Sequence, residues 1–257
     1  MTNAKTNITT EATASQWIGR RQQQEDSLLL RATKRSAAIF LSDGMGGHRG
    51  GAIASKIICA ELCKHLRRAE AWDKTAMRRA IDAAHTALSI KAAHTGLRDM
   101  GGTALAVRTD GQSLYWVSIG DSPLYLIHRG QLTRLNADHS CAPILDEMVR
   151  RGEMSEAAAN ADSRRSALRS VVSVQPIGLV DYGCRPALLE PGDIVIAASD
   201  GIATLEEDVV IQEAMASTTA SHLCTDLLKG VKARNLPDQD NVSLGVIYVK
   251  RVRLWFG

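Results

Sequence analysis

Apolar runs of strand length recur along this 257-residue chain, and several of them end on an aspartate. Residues 37–41, 103–107, 114–119, 124–127, 194–198 and 242–249 are each bounded by turn residues, which predicts strands. Asp110-Gly111 joins the second run to the third, and Arg129-Gly130 separates 124–128 from a short run at 131–135. Those neighbours are predicted to pair antiparallel. Apolar residues three and four apart, as in Ile53, Ile57, Ile58, Leu62 and Leu66, predict helices over 51–68, 74–93, 143–151 and 219–233. Helices after an early strand, then consecutive hairpins, then more helix and strand imply an α+β fold with antiparallel sheet packed on helices, not a doubly wound parallel sheet.

A chain of this length fits one large domain. Polar, Thr-rich residues 1–14 read as a flexible N-terminal tail, with 15–257 as the domain. Residues 140–182 break the strand rhythm with short helical pieces and read as an insertion over one face, a candidate lid. Hydrophobic residues at 45% and charged residues at 23% exclude a disordered or membrane class. No apolar run nears the roughly 20 residues of a membrane span, and the N-terminus lacks a leader pattern, so a cytoplasmic protein is expected. Five cysteines without a CxxC pair suggest neither a disulfide framework nor a zinc site, and Cys59 and Cys63 belong on a buried helix face. A net charge of +3 with 4% aromatic residues argues against a nucleic-acid groove. The arginine pairs 67–68, 78–79, 150–151 and 164–165 read as solvated faces.

The chemistry lies in where the aspartates fall. Asp43 follows AIFLS, Asp121 follows LYWVSIG, Asp200 follows DIVIAAS, and Asp240-Asn241 immediately precedes the last strand. One Asp-Gly at a strand end is ordinarily a turn, as at Asp110-Gly111. Repetition over four strands is different, because clustered like charges cost several kcal/mol unless a cation compensates them. An oxygen-only cluster, without His or Cys at metal spacing, selects Mg2+ or Mn2+ over Zn2+. Two such ions about 4 Å apart would share a water and lower its pKa, which makes a phosphoester the natural target. Arg21, in Arg21-Gln-Gln-Gln-Glu25-Asp26, offers a planar donor fork suited to phosphate.

Here the sequence resembles the protein phosphatase 2C (metal-dependent, PPM) family, in its bacterial form, over almost the whole chain. Arg21-x-x-Gln24-Glu25-Asp26 is similar to the family's RxxNED opening, and Asp43-Gly-Met-Gly-Gly-His48 to its DGxGG motif. Met100-Gly101-Gly102-Thr103 resembles its MGTT segment, Gly120-Asp121-Ser122 its GDSR segment, and Ser199-Asp200-Gly201 and Asp240-Asn241 its closing metal motifs. The resemblance implies a four-layer α/β/β/α sandwich, two central antiparallel sheets flanked by helix pairs, with metals in a cleft at one end. It implies two Mn2+ or Mg2+ ions bridged by Asp43. Asp200 and Asp240 would bind one ion, and the Gly44 carbonyl the other. Asp26 would act through a water, Arg21 would bind substrate phosphate, and Asp121 would serve a third, weaker site. The insertion at 140–182 falls where the family has its flap.

Three positions depart from the pattern: Pro123 replaces the Arg of GDSR, Thr204 stands where many relatives have an Asp, and Met45 where many have a histidine implicated as general acid. His48 is the substitute candidate for that acid, and His139 reads as a loop residue. The expected activity is metal-dependent hydrolysis of phosphoserine and phosphothreonine in proteins by a monomer, on substrates of a Ser/Thr kinase. The alternative is a non-catalytic phosphoprotein-binding module of the same fold.

Overall fold

A computed structural model of the chain describes residues 8–185 and 189–251, the His48 side chain excepted. Its strands are β1 (Ile8–Trp17), β2 (Ser27–Ala32), β3 (Ala37–Ser42), β4 (Gly44–Met45), β5 (Gly101–Gly102), β6 (Ala104–Thr109), β7 (Leu114–Ile119), β8 (Leu124–His128), β9 (Gln131–Arg134), β10 (Asp181–Arg185), β11 (Ile194–Ala198) and β12 (Val242–Arg251). Its helices are α1 (His48–Leu66), α2 (Lys74–Thr95), α3 (Ala142–Arg150), α4 (Glu156–Ala161), α5 (Glu207–Ala216) and α6 (Ala220–Arg234), with a 3-10 turn at Asp200–Thr204.

The strands form two five-stranded antiparallel sheets, ordered β1-β12-β11-β8-β9 and β10-β7-β6-β3-β2. Side chains alternate faces along a strand, and β3 shows how this builds four layers. Ala38 and Phe40 point toward α1 and α2, in a core with Ile58, Leu62 and Ile81. Ala37, Ile39 and Leu41 point the other way, against Val195, Ala197 and Ile247 of the opposite sheet. On β12, Leu244 and Val246 in turn meet Leu223 and Leu227 of α6. Three buried layers thus separate helix pair, sheet, sheet and helix pair, the α/β/β/α sandwich implied by the sequence. Both predicted hairpins form, β6 with β7 and β8 with β9. Cys59 and Cys63 are buried in the α1 face, and the Cys59 thiol donates to the Phe40 carbonyl.

The expected tail needs correction. Residues 8–14 are not loose: they open β1, which pairs with β12 over all ten of its residues, from Ile8↔Arg251 to Trp17↔Val242. Thr9, Thr10 and Thr13 are β-branched and suit a half-exposed edge strand. Such a strand lacks the continuous apolar run that marks a buried one. Residues 1–7 lie outside the described part. The insertion also closes earlier than expected, because Asp181 and Tyr182 already belong to β10. Strands β2 and β10 and helix α5 were not anticipated from periodicity; β10 reads DYGCR, with no apolar run.

Two backbone contacts pin the insertion. Ser140 bridges Leu168, enclosing α3 and α4. Val172 then pairs with Gly102, donating at 2.9 Å and accepting at 3.0 Å. Because β5 pairs with β4 through Gly44↔Gly102, the insertion is joined by main-chain bonds to the strand that carries Gly44.

Gly245 of β12 faces Ile39 of the opposite sheet, and an added Cβ would lie 2.8 Å from Ile39 Cδ1. Gly245→Ala is expected to lose about 1–3 kcal/mol in urea unfolding, with part of the loss recovered on adding Ile39→Val. Equal stability of Gly245→Ala and wild type would contradict this packing.

Candidate functional site

Antiparallel pairing gathers the C-terminal ends of β3, β7 and β11 and the N-terminal ends of β2 and β12 at one end of the sandwich. Those five ends carry Asp43, Asp121, Asp200, Asp26 and Asp240. Arg21, Asp43, Gly44, Asp121, Asp200 and Asp240 line one cleft of about 390 Å3, and Ser166 and Leu168 of the insertion close its rim. The expected metal-binding and phosphate-binding residues are therefore brought together, with Asp26 beneath the lining at 4% exposure.

Each aspartate is fixed by a different device. Asp26 Oδ2 accepts from Ser199 Oγ at 2.8 Å and Ser243 Oγ at 2.7 Å. Burial pushes its carboxyl up to about 6 against those two bonds. Asp43 exchanges hydrogen bonds with Thr103, its N–H donating to Thr103 Oγ1 at 2.9 Å and its carbonyl accepting from Thr103 N at 2.8 Å. Burial, then the charges of Asp26, Asp200, Asp240 and Asp121, hold the Asp43 carboxyl well above the usual range. Burial and Asp240 raise Asp200 likewise, and Asp200 Oδ1 is buried without a hydrogen-bond partner. Asp121 is pushed up to about 7, chiefly by burial and then by Asp200.

Two more groups complete the rim. A Cβ on Gly44 would fall 2.2 Å from the Gly51 carbonyl and 2.6 Å from that of Glu25, so only glycine fits this wall of the cleft. Arg21, about half-exposed, donates from Nη2 to Asp240 Oδ2 at 2.6 Å. Asn241 anchors the loop that carries Arg21, its side chain donating to Ile18 O and Gln23 O and accepting from Glu25 N.

Sequence reasoning names Thr103, Ser122, Ser199 and Asn241 within the motifs without giving them a role, and it misses Ser243; together they form a hydroxyl and amide layer. Thr103 Oγ1 also lies 2.8 Å from Ser122 Oγ, which links the Asp43 and Asp121 loops. The available signal was a hydroxyl next to the chemistry, as in Asp121-Ser122 and Ser199-Asp200. His139 is buried, and its Nδ1 accepts from Gly120 N at 3.2 Å, so it braces the Asp121 loop from behind. Burial lowers its pKa. Thr204 Oγ1 is turned to Gln239 at 2.8 Å. Met45 lines the cleft, 42% exposed, while the His48 side chain lies outside the described residues.

The donor set fits a hard cation. Oxygen ligands predominate, their charges raise one another's pKa, and one buried carboxylate oxygen has no partner. Among the described residues no three His, Cys, Asp or Glu side chains are arranged so that they could hold a metal ion as they stand. Asp26 is turned to its serines and Asp240 to Arg21, so occupancy would redirect existing contacts.

Comparison with known proteins agrees with this geometry. The protein phosphatase 2C family model matches residues 15–238. A putative protein phosphatase 2C-type protein of Streptococcus pyogenes is 30% identical over 172 residues, covering 65% of this chain and 68% of that one. The crystal structure of the Mycobacterium tuberculosis serine/threonine phosphatase PstP/Ppp superposes with a TM-score of 0.79 at 25% identity, covering 95% of this chain and 100% of that one. The catalytic domain of PstP in complex with two manganese ions gives a TM-score of 0.77 at 24% identity, covering 95% and 99% respectively, a likeness of fold.

The raised carboxyls set a pH dependence. With Asp26 near 6 and Asp121 near 7 in the fold, against 3.8 for an ordinary Asp, the folded protein binds more protons than the unfolded one between about pH 4 and 7. Their favourable contribution is whole below that window and is lost as pH rises through it. Urea unfolding of chelator-treated protein should show stability declining from pH 5 to pH 8, and less steeply in Asp26→Asn. Parallel profiles for the two proteins would refute the assignment of Asp26.

Proposed function

The chain belongs to the protein phosphatase 2C family, and from that premise we propose that it hydrolyses phosphoserine and phosphothreonine esters of other proteins with two divalent cations, Mn2+ or Mg2+. The observation that carries this reading is the convergence of Asp43, Asp121, Asp200 and Asp240 on one cleft beside an arginine. Asp43 would serve both ions, Asp200 and Asp240 one of them, and the Gly44 carbonyl the other. Asp121 would serve a third, weaker position, with Thr204 turned away from it. When bound, such ions lower the pKa of water and offset the negative charge of a phosphoester.

The chain's own groups do the rest. Ser199 and Ser243 saturate Asp26 Oδ2, which leaves Oδ1 to orient a water and take its proton. Arg21 can exchange its bond with Asp240 Oδ2 for a paired grip on two phosphate oxygens. Met45 and Leu168 give the cleft mouth apolar walls for the chain flanking the phosphorylated residue.

Turnover of a phosphothreonine peptide in chelator, in Mn2+ and in Mg2+ tests the reading. Hydrolysis should require the metal and fall at least about 100-fold in Asp43→Asn, the scale of losing a central electrostatic group. Hydrolysis in chelator would overturn the metal-dependent reading, and no hydrolysis in any metal would favour the binding module instead. Arg21→Ala should raise KM for the peptide by about 10-fold or more, as expected for a lost charge-assisted hydrogen bond, with a smaller change in kcat.

A further inference from the structure

Away from the carboxylates, the first turns of α2, the last part of the insertion and the start of β10 enclose a groove of about 570 Å3. Lys74, Arg78 and Arg79 form one wall, and Ile177, Val180 and Tyr182 the other. The wall of α2 keeps its positive charge. Arg78 pairs with Asp82 at 2.8 Å, whereas Arg79 has no ion pair or hydrogen bond among the described residues. Lys74 Nζ lies 5.4 Å from the Tyr182 ring centre, a contact that leaves its charge uncancelled. The adjacent Asp73 is the helix cap, accepting from Ala76 N at 2.7 Å, and its charge offsets the partial positive charge of the helix end, so the cations of this wall are its side chains. Facing these cations, the Tyr182 hydroxyl is buried without a well-formed partner.

A solvated arginine face, the reading the sequence favours for Arg78-Arg79, has no opposite wall. This one has an apolar wall, and that wall belongs to the segment that rims the catalytic cleft. Leu168 lines the cleft and Ile177 lines the groove, nine residues further along. Ser170 Oγ ties the two parts together, donating to Leu179 O at 2.8 Å and accepting from Leu179 N at 2.9 Å. Nine residues span at most about 30 Å of chain, so a single extended polypeptide of similar length can reach both places.

We infer that this groove docks an acidic stretch of the phosphoprotein substrate, Asp and Glu residues lying about ten residues from the phosphorylated side chain. Separate cations spaced along a helix suit a row of carboxylates, and the apolar wall suits the backbone and stems between them. The inference rests on the phosphatase reading above, and makes Lys74 and Arg79 specificity residues that never touch the reacting phosphate.

Two phosphothreonine peptides with the same core test it, one extended by an Asp/Glu-rich stretch and the other by a Ser/Gly stretch. For the wild-type protein in Mn2+, KM should be about 5- to 10-fold lower for the acidic peptide, near 1 kcal/mol of added binding, with kcat alike. The advantage should shrink at high salt. Arg79→Glu and Lys74→Glu should each abolish it while leaving the neutral peptide unchanged. Lys74→Glu places an acid in the first helical turn, where the helix favours it, so lost docking is not lost folding. Equal KM values in wild type, or a preference that survives both substitutions, would overturn the inference. If neither peptide is hydrolysed, the phosphatase reading falls, and fluorescence anisotropy of the dephosphorylated acidic peptide on the intact protein judges the groove alone. Binding that Arg79→Glu weakens supports docking, and absence of binding refutes it.

Discussion

Repulsion among five carboxylates at one end of the sandwich is the constraint on which the rest of the structure depends. Left to themselves such groups separate or protonate. They are held because each sits within a residue or two of a strand end, and strand register is set by the apolar layer between the sheets. A one-residue slip of β3 would move Ile39 and Leu41 to the opposite face and carry Asp43 out of the cleft with them. The inter-sheet core is thus what makes the cluster possible, and a cation is what makes it comfortable.

Between core and cleft lies the layer of hydroxyls and amides. Thr103 and Ser122 couple the β3 and β7 ends, Ser199 and Ser243 couple β11 and β12 to Asp26, and Asn241 couples β12 to the Arg21 loop. These groups are buried and mutually hydrogen-bonded, the condition under which a polar network stiffens a site. Carboxylates from two different sheets are thereby joined into one rigid rim, with Thr103 and Asn241 reaching the cleft wall and Ser122, Ser199 and Ser243 behind it.

How much of this was legible in the sequence follows from burial. Strands such as β3, β7 and β11 are apolar on both faces and announce themselves, and the aspartates at their ends were visible for the same reason. The edge strands β1 and β10 are half-exposed and lack a run, so that residues 8–14 of β1 read as part of a tail. The role of Asp26 comes from resemblance alone, and Arg21, legible as a donor fork suited to phosphate, has no spacing that sets it apart from a surface arginine. Ser199 and Ser243 lie 44 residues apart in sequence, and only the β11–β12 pairing reveals that both face one carboxylate.

The two backbone pins of the insertion carry a consequence for variation. Ser140 and Leu168 already lie side by side, so α3 and α4 form a loop with fixed, adjacent ends. The entropy of closing such a loop rises only slowly with its length. Material can be added, removed or rewritten between the pins while Val172 remains bonded to Gly102 and Gly44 remains in place. The stretch between the pins, which brings Ser166 and Leu168 to the rim of the cleft, is therefore mechanically separate from the floor that holds the carboxylates.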